Sequence, residues 1–219
     1  VFAAKNAQKE IDILNIPYDK IIVSTFDIDT IVHKEYFSHL TYKFLTHATP
    51  HKTSYQPVAL FNNNVWQSNA FTRTVSNSTM FWLLTDLSRP DRLFTFSSHS
   101  MSWKTLVDVG FWEPDLVTED SRIFLQCFIH YDGDYSVTPM YVPVSMDTVE
   151  TGHFWQSLVA VYKQQRRWAW GIEHFPYMIW HFVKNKKIPF FKKFKYFFNI
   201  TEGMYSWATA PILIIVLGR

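Results

Sequence analysis

Short apolar runs alternate along this chain with longer stretches whose apolar residues recur at helical spacing. Ile21-Ile22-Val23 is a β-branched run of strand length leading into Phe26-Asp27, and such a run reads as a parallel strand buried on both faces. Gln56 to Phe61 reads as a second strand, Phe94-Thr95-Phe96 alternates like a strand end, and Tyr135 to Val144 is extended. Between these lie stretches with helical character. Residues 3–15 read as a helix, residues 33–46 carry Tyr36, Phe37, Leu40, Phe44 and Leu45 close to helical spacing, and residues 64–85 read as helical in part. Thr118-Glu119-Asp120-Ser121 has the form of a helix start, with Ile123, Phe124, Cys127 and Phe128 following on one face. A further helix begins near Phe154. Ser88-Arg89-Pro90-Asp91 and Tyr131-Asp132-Gly133-Asp134 are turns. This alternation predicts an α/β layered fold.

The C-terminal part differs in character. His174 to Asn199 interleaves Phe, Tyr and Trp with Lys, and no Asp or Glu occurs between Glu173 and Glu202. An apolar run from Ala208 to Leu217, interrupted by Thr209 and Pro211, follows. It is shorter than the roughly 20 residues a membrane-crossing helix needs, and it reads as the start of a span. Basic aromatic sequence next to such a run predicts a helix lying in a membrane interface, with its lysines toward anionic lipid. Nucleic-acid binding draws on the same residue types, but the adjacent apolar run favours membrane, so no nucleic-acid partner is expected. Lysine excess beside a span also places that side in the cytoplasm. The predicted division is 1–173 for a catalytic α/β domain, 174–203 for the interface helix region and 204–219 for the start of a transmembrane helix.

Composition changes this picture little. The 219 residues make about one domain. The net charge of +2 excludes no partner class. Nine Trp and twenty Phe exceed the needs of a small core, which leaves aromatics for a membrane surface or a sugar groove. The single Cys127 excludes an internal disulfide and reads as a buried small hydrophobe. Asn77-Ser78-Thr79 and Asn199-Ile200-Thr201 match the glycosylation pattern, which a cytoplasmic domain does not use.

Candidate chemistry sits in three short motifs. In Asp27-Ile28-Asp29, an extended backbone turns both carboxylates to one face, as a Mg²⁺ ion carrying substrate phosphates requires. The same pattern after an apolar strand occurs in phosphatases of the haloacid dehalogenase type, but no matching downstream Lys and paired-Asp set is found here. In Thr118-Glu119-Asp120 a carboxylate at a helix start can act as a general base, while the plain alternative is an N-cap followed by first-turn acids. In Gln164-Gln165-Arg166-Arg167-Trp168, residues i, i+3 and i+4 share a helix face. Arg167 can fork onto phosphate, Trp168 can face a sugar ring and Gln164 can bond a hydroxyl. The alternative packs Trp168 in the core and leaves Arg167 in solvent.

The order D-x-D, T-E-D and Q-x-x-R-W resembles the family 2 glycosyltransferases, the group of the cellulose, chitin and hyaluronan synthases. The resemblance covers most of residues 3–175. It implies a GT-A fold, a Rossmann-like mixed sheet flanked by helices, lacking the family's first strand, so the chain is expected to be a piece of a longer membrane protein. It implies an inverting transfer from a nucleoside-diphosphate sugar, a UDP-sugar first among them, to a glycan or lipid-linked acceptor, with Mg²⁺ or Mn²⁺ as cofactor. By resemblance, Asp120 is the catalytic base, Asp29 the metal ligand with Asp27 beside it, and Thr118, Glu119, Gln164, Arg167 and Trp168 contact substrate. The family has an acceptor-lining loop where Phe96 to Trp103 stands, often with Gly and a basic residue that are absent here. His99 within it reads as a surface or capping histidine. A membrane scaffold that keeps the fold without catalysis is the competing reading.

Overall fold

A computed structural model describes residues 1–217. In chain order its elements are α1 (Phe2–Ile13), a 3₁₀ turn (Tyr18–Lys20), β1 (Ile22–Ser24), β2 (Ile31–Val32), α2 (Tyr36–Thr46), β3 (Thr53–Phe61), α3 (Ala70–Leu87), β4 (Ser100–Ser102), α4 (Trp103–Asp108), α5 (Glu119–His130), β5 (Ser136–Met146), α6 (Phe154–Ala169), a second 3₁₀ turn (Trp170–Glu173), α7 (His174–Lys184) and α8 (Phe190–Leu217). Among the described residues the strands form one mixed sheet in the order β1-β4-β3-β5-β2. Helices flank it, an arrangement that fits a GT-A-like fold.

The parallel pair is β3 with β5, and every other pairing is antiparallel. The expected parallel role of Ile21-Ile22-Val23 is therefore corrected. β1 runs antiparallel to β4 and is only partly buried, because it lies at the sheet's edge. Phe94-Thr95-Phe96 is loop rather than strand; the strand that follows is the polar Ser100-Met101-Ser102, buried throughout. In the central pair the register shifts after Pro57, where Val58 faces Pro143. Prolines cannot donate to a ladder, so they gather where pairing is irregular.

Side chains alternate across β3, and the two faces carry separate cores. Tyr55, Ala59 and Phe61 meet Tyr36, Leu40 and Phe44 of α2, with Leu83 of α3. On the other face, Ile123, Phe124, Cys127 and Phe128 of α5 pack with Val137, Met178, Phe182 and Tyr196. Cys127 is buried and free, as its apolar setting predicted.

α7 and the start of α8 thus belong to the same core as α5. Lys193 of α8 donates to the carbonyls of Phe182 and Asn185, closing the end of α7. The outer faces of both helices are exposed and aromatic, with Trp180, Val183, Phe190 and Phe191 in solvent. No helix among the described residues is both long and apolar enough to cross a membrane. The run expected to begin a span forms the end of α8 up to Leu217; residues 218–219 of that expectation lie outside the described residues.

Candidate active site

The Asp27-Ile28-Asp29 motif follows β1 in a tight turn, in which the Thr30 N–H donates to the Asp27 carbonyl over 3.0 Å. The extended backbone expected there is corrected: the turn throws Ile28 into solvent and sends the two acids to different partners. Asp27 Oδ2 accepts from Ser97 Oγ at 2.6 Å. Asp29 Oδ2 accepts from the Asp147 N–H at 3.0 Å, and its carbonyl accepts from Asn63 Nδ2 at 3.1 Å. Among the described residues no cluster of three or more His, Cys, Asp or Glu could enclose a metal. Two carboxylates with oxygen donors only are nevertheless the set a hard divalent cation uses when phosphates and water complete its shell. In donor chemistry, though not in a shared orientation, Asp27 and Asp29 suit that kind of site and not a closed protein cage.

Thr118 precedes α5 but does not cap it; its hydroxyl donates instead to Glu173 Oε1 at 2.6 Å. The N-cap role is corrected accordingly. In the first turn, Asp120 keeps 27% of its side-chain surface. Burial, followed by the negative charge of Asp27, pushes its carboxyl up to about 6. Glu119 is also raised, first by burial and then by Asp120 and Asp27, with Arg167 pulling the other way. Charged groups from all three sequence motifs are thus electrostatic neighbours of the first turn of α5.

The segment 95–99 joins the first two motifs, and sequence reasoning missed most of it. Thr95 Oγ1 donates to the Asp120 carbonyl at 2.5 Å, while Ser97 holds Asp27. Gln56, buried on β3, fixes the segment from both sides: it accepts from the Phe96 N–H at 2.9 Å and donates to the Ser97 carbonyl at 3.2 Å. Ser98 adopts φ of +66°, and its hydroxyl lies 3.0 Å from that of Thr30. His99 is fully buried, which corrects its reading as a surface or capping residue. The ring lies inside because β4, buried throughout between β1 and β3, begins at the next residue. Its Nδ1–H donates to the Phe96 carbonyl at 3.2 Å and lies 3.8 Å from Asp120 Oδ1. Burial lowers its pKa to about 4, so the ring is neutral and forms no ion pair with Asp120. Trp103, at the far end of the expected acceptor loop, is buried in the core and lines no opening. The sequence pointed to this stretch as an acceptor-lining loop and showed an uninterrupted polar run, Ser97-Ser98-His99-Ser100, but not its bonds to Asp27 and Asp120.

On α6, Gln164 and Trp168 line a shallow cleft with Phe61, Thr79, Asp147 and Val161. Trp168 also packs against the α2–α3 core, as the packing alternative for this motif required. Arg167 is exposed and acts on Glu119. Asp147 joins the cleft to the first motif through its bond to Asp29. The cleft wall is braced by Glu150, whose carboxylate accepts from Ser157 Oγ and from the N–H groups of Asn69, Thr151 and Gly152.

Against known proteins, the family model described as "Glycosyl transferase family group 2" matches residues 22–218. No curated protein matches the chain.

Proposed function

The chain belongs to glycosyltransferase family 2 and is a glycosyltransferase, and on that premise we propose a membrane-associated, metal-dependent, inverting enzyme. It would move a sugar from a nucleoside-diphosphate donor, UDP-sugars first among them, to a glycan or lipid-linked acceptor. The observation that carries this reading is the link between the first two motifs through residues 95–99, where Ser97 holds Asp27 and Thr95 holds the Asp120 carbonyl, with Arg167 acting on Glu119. Asp120 keeps 27% of its side-chain surface, its pKa is raised to about 6 by burial and by the charge of Asp27, and Arg167 is exposed. Family membership also favours transfer over the scaffold reading.

In this mechanism an acceptor hydroxyl attacks the anomeric carbon from the face opposite the diphosphate. The new C–O bond forms as the bond to the diphosphate breaks, and the leaving group takes that electron pair. Asp120 takes the hydroxyl proton; a base with pKa about 6 is ionised at neutral pH yet stronger than an ordinary carboxylate. Arg167 forks onto the diphosphate, where charge develops. Asp29, with Asp27 beside it, would hold Mg²⁺ or Mn²⁺, which when bound supplies charge neutralisation at the diphosphate. Trp168 presents a flat apolar face to a sugar ring, and Gln164 bonds one of its hydroxyls. Glu119 and Thr118 frame the base, Glu119 toward the substrate.

Membrane association rests on the outer faces of α7 and α8. Trp180 is 61% exposed and Phe190 80%; Lys184 lies over the Trp180 ring at 3.5 Å, and further lysines line the same segment. Aromatic and cationic side chains together suit the headgroup level of an anionic cytoplasmic leaflet.

The test uses the full chain in membranes with Mn²⁺ or Mg²⁺ and UDP-glucose, UDP-N-acetylglucosamine or UDP-glucuronate. UDP release that needs the cation, with inversion at the anomeric carbon of the product, supports the reading. Cation-independent release or a retained configuration contradicts it.

A further inference from the structure

The first turn of α5 holds the proposed base, yet its own N-cap side chain does not fix that turn. Three of its residues reach instead to the joint between α6 and α7. Thr118 Oγ1 donates to Glu173 Oε1 at 2.6 Å, and Ser121 Oγ lies 2.9 Å from His174 Nε2. Arg122, 5% exposed, donates through Nε to His174 Nδ1 at 3.2 Å. Its other nitrogens reach Glu113 Oε2 at 3.3 Å and the Glu173 carbonyl at 3.5 Å. The guanidinium carbon lies 3.8 Å from the centre of the Tyr177 ring.

These bonds fix one tautomer. His174 Nδ1 accepts from Arg122, so its proton sits on Nε2 and points to Ser121. Burial, then the Arg122 charge, lowers His174 to about 4, so the ring stays neutral and the arrangement holds across the neutral range. Glu173 ends the 3₁₀ turn that directly follows α6. The clamp therefore ties the helix of Asp120 to the helix of Arg167. On the other side Thr95 holds the Asp120 carbonyl. Asp120 is thus fixed from two directions, neither of which depends on substrate.

We infer that the Thr118–Glu173 bond and the Arg122–His174 pair form a clamp that sets the distance between base and diphosphate-binding arginine, and that Thr118 is a positioning residue, not a substrate contact. The inference rests on the reading of Asp120 as the base. A hydroxyl already committed to Glu173 has its donor spent inside the protein. Losing it lets the first turn of α5 drift while Arg167 and the metal-binding acids keep their places.

The experiment compares Thr118→Val, Glu173→Met, their double variant and Thr118→Ser in the full chain, with UDP-glucose, UDP-N-acetylglucosamine and UDP-glucuronate as donors. Rates are divided by the number of UDP-binding sites measured with Mn²⁺, so unfolded protein does not count. A displacement of the base by a fraction of an ångström lowers kcat by about tenfold or more, with donor KM and UDP affinity within about twofold. The double variant should be no slower than the slower single variant, because both break one bond. Thr118→Ser keeps the hydroxyl and restores the rate. Unchanged kcat in Thr118→Val, parallel loss of donor affinity, or multiplying losses in the double variant overturn the clamp. Asp120→Asn is the control. If it transfers at the wild-type rate, or if wild type releases UDP from none of the donors, the underlying reading fails. If it is inactive while Thr118→Val and Glu173→Met keep the wild-type rate, the clamp alone fails.

Discussion

Replacing Asp120 by Asn is expected to stop transfer and, at the same time, to stabilise the protein. The Asp120 carboxyl titrates at about 6 in the folded chain against an ordinary 3.8, because burial and then Asp27 disfavour its charge. Below about pH 4 the group is neutral in both the folded and unfolded chains, and nothing is lost. Between about pH 4 and 6 the unfolded chain releases its proton first, and the folded state loses ground; above that the cost is constant. The difference, about 6 − 3.8 = 2.2 pH units, corresponds to about 3 kcal/mol at 1.36 kcal/mol per unit. Asp120 keeps 27% of its side-chain surface, so this figure is a ceiling, and a gain of about 1–3 kcal/mol is expected for the uncharged Asn. In a domain of this size 1 kcal/mol moves the melting midpoint by about 2–4 °C. Thermal unfolding without divalent cation should therefore show Asp120→Asn melting about 2–12 °C above wild type near pH 7.5, with the gap narrowing toward about pH 4.5. An equal or lower midpoint near neutral pH, or a gain of the same size in acid, would refute the reasoning.

The same titration governs rate: kcat/KM should fall about tenfold per pH unit below about 6, and a flat profile down to about pH 5 would remove Asp120 as the base. Glu150 works with the opposite sign. Bonds from Ser157, Asn69 and Gly152 hold its carboxyl down to about 2 against an ordinary 4.5. Glu150→Gln should thus lower the melting midpoint at neutral pH, with the deficit shrinking as pH falls from 4.5 toward about 2; a pH-independent deficit would point to packing instead. The full chain should pellet with vesicles containing phosphatidylserine and release them as salt rises, whereas binding that ignores both salt and lipid charge would remove the lysines of α7 and α8 from the contact.

Much of the helical architecture was legible because α2, α5 and α6 carry apolar residues at the helical period; Ile123, Phe124, Cys127 and Phe128 are buried as that spacing requires. The short strands were not. β4 reads Ser-Met-Ser, and its serines are buried because polar partners from other elements meet them: Ser100 lies 2.7 Å from Ser24 and 2.8 Å from the Tyr36 hydroxyl, and Ser102 lies 2.8 Å from His51 Nδ1. Such pairs leave no mark on hydrophobic periodicity. The edge strand β1 has the composition of a buried parallel strand but is placed by an antiparallel partner distant in sequence. For the site, the motifs named the acids and the arginine, while the backbone turn at Asp27 and the burial of His99 depended on tertiary contacts. Ser97, Gln56 and Thr95 connect the first two motifs, and Glu173 and His174 anchor the second. Each does so through partners too far along the chain for local pattern to show.

The most direct measurement is sugar transfer by Asp120→Asn beside wild type in the full chain, with UDP binding followed in the same preparations. The account predicts that transfer falls by about 10²–10⁴-fold, the usual worth of a general base, while UDP and Mn²⁺ bind as before. Transfer at the wild-type rate by a variant that binds UDP normally would contradict it.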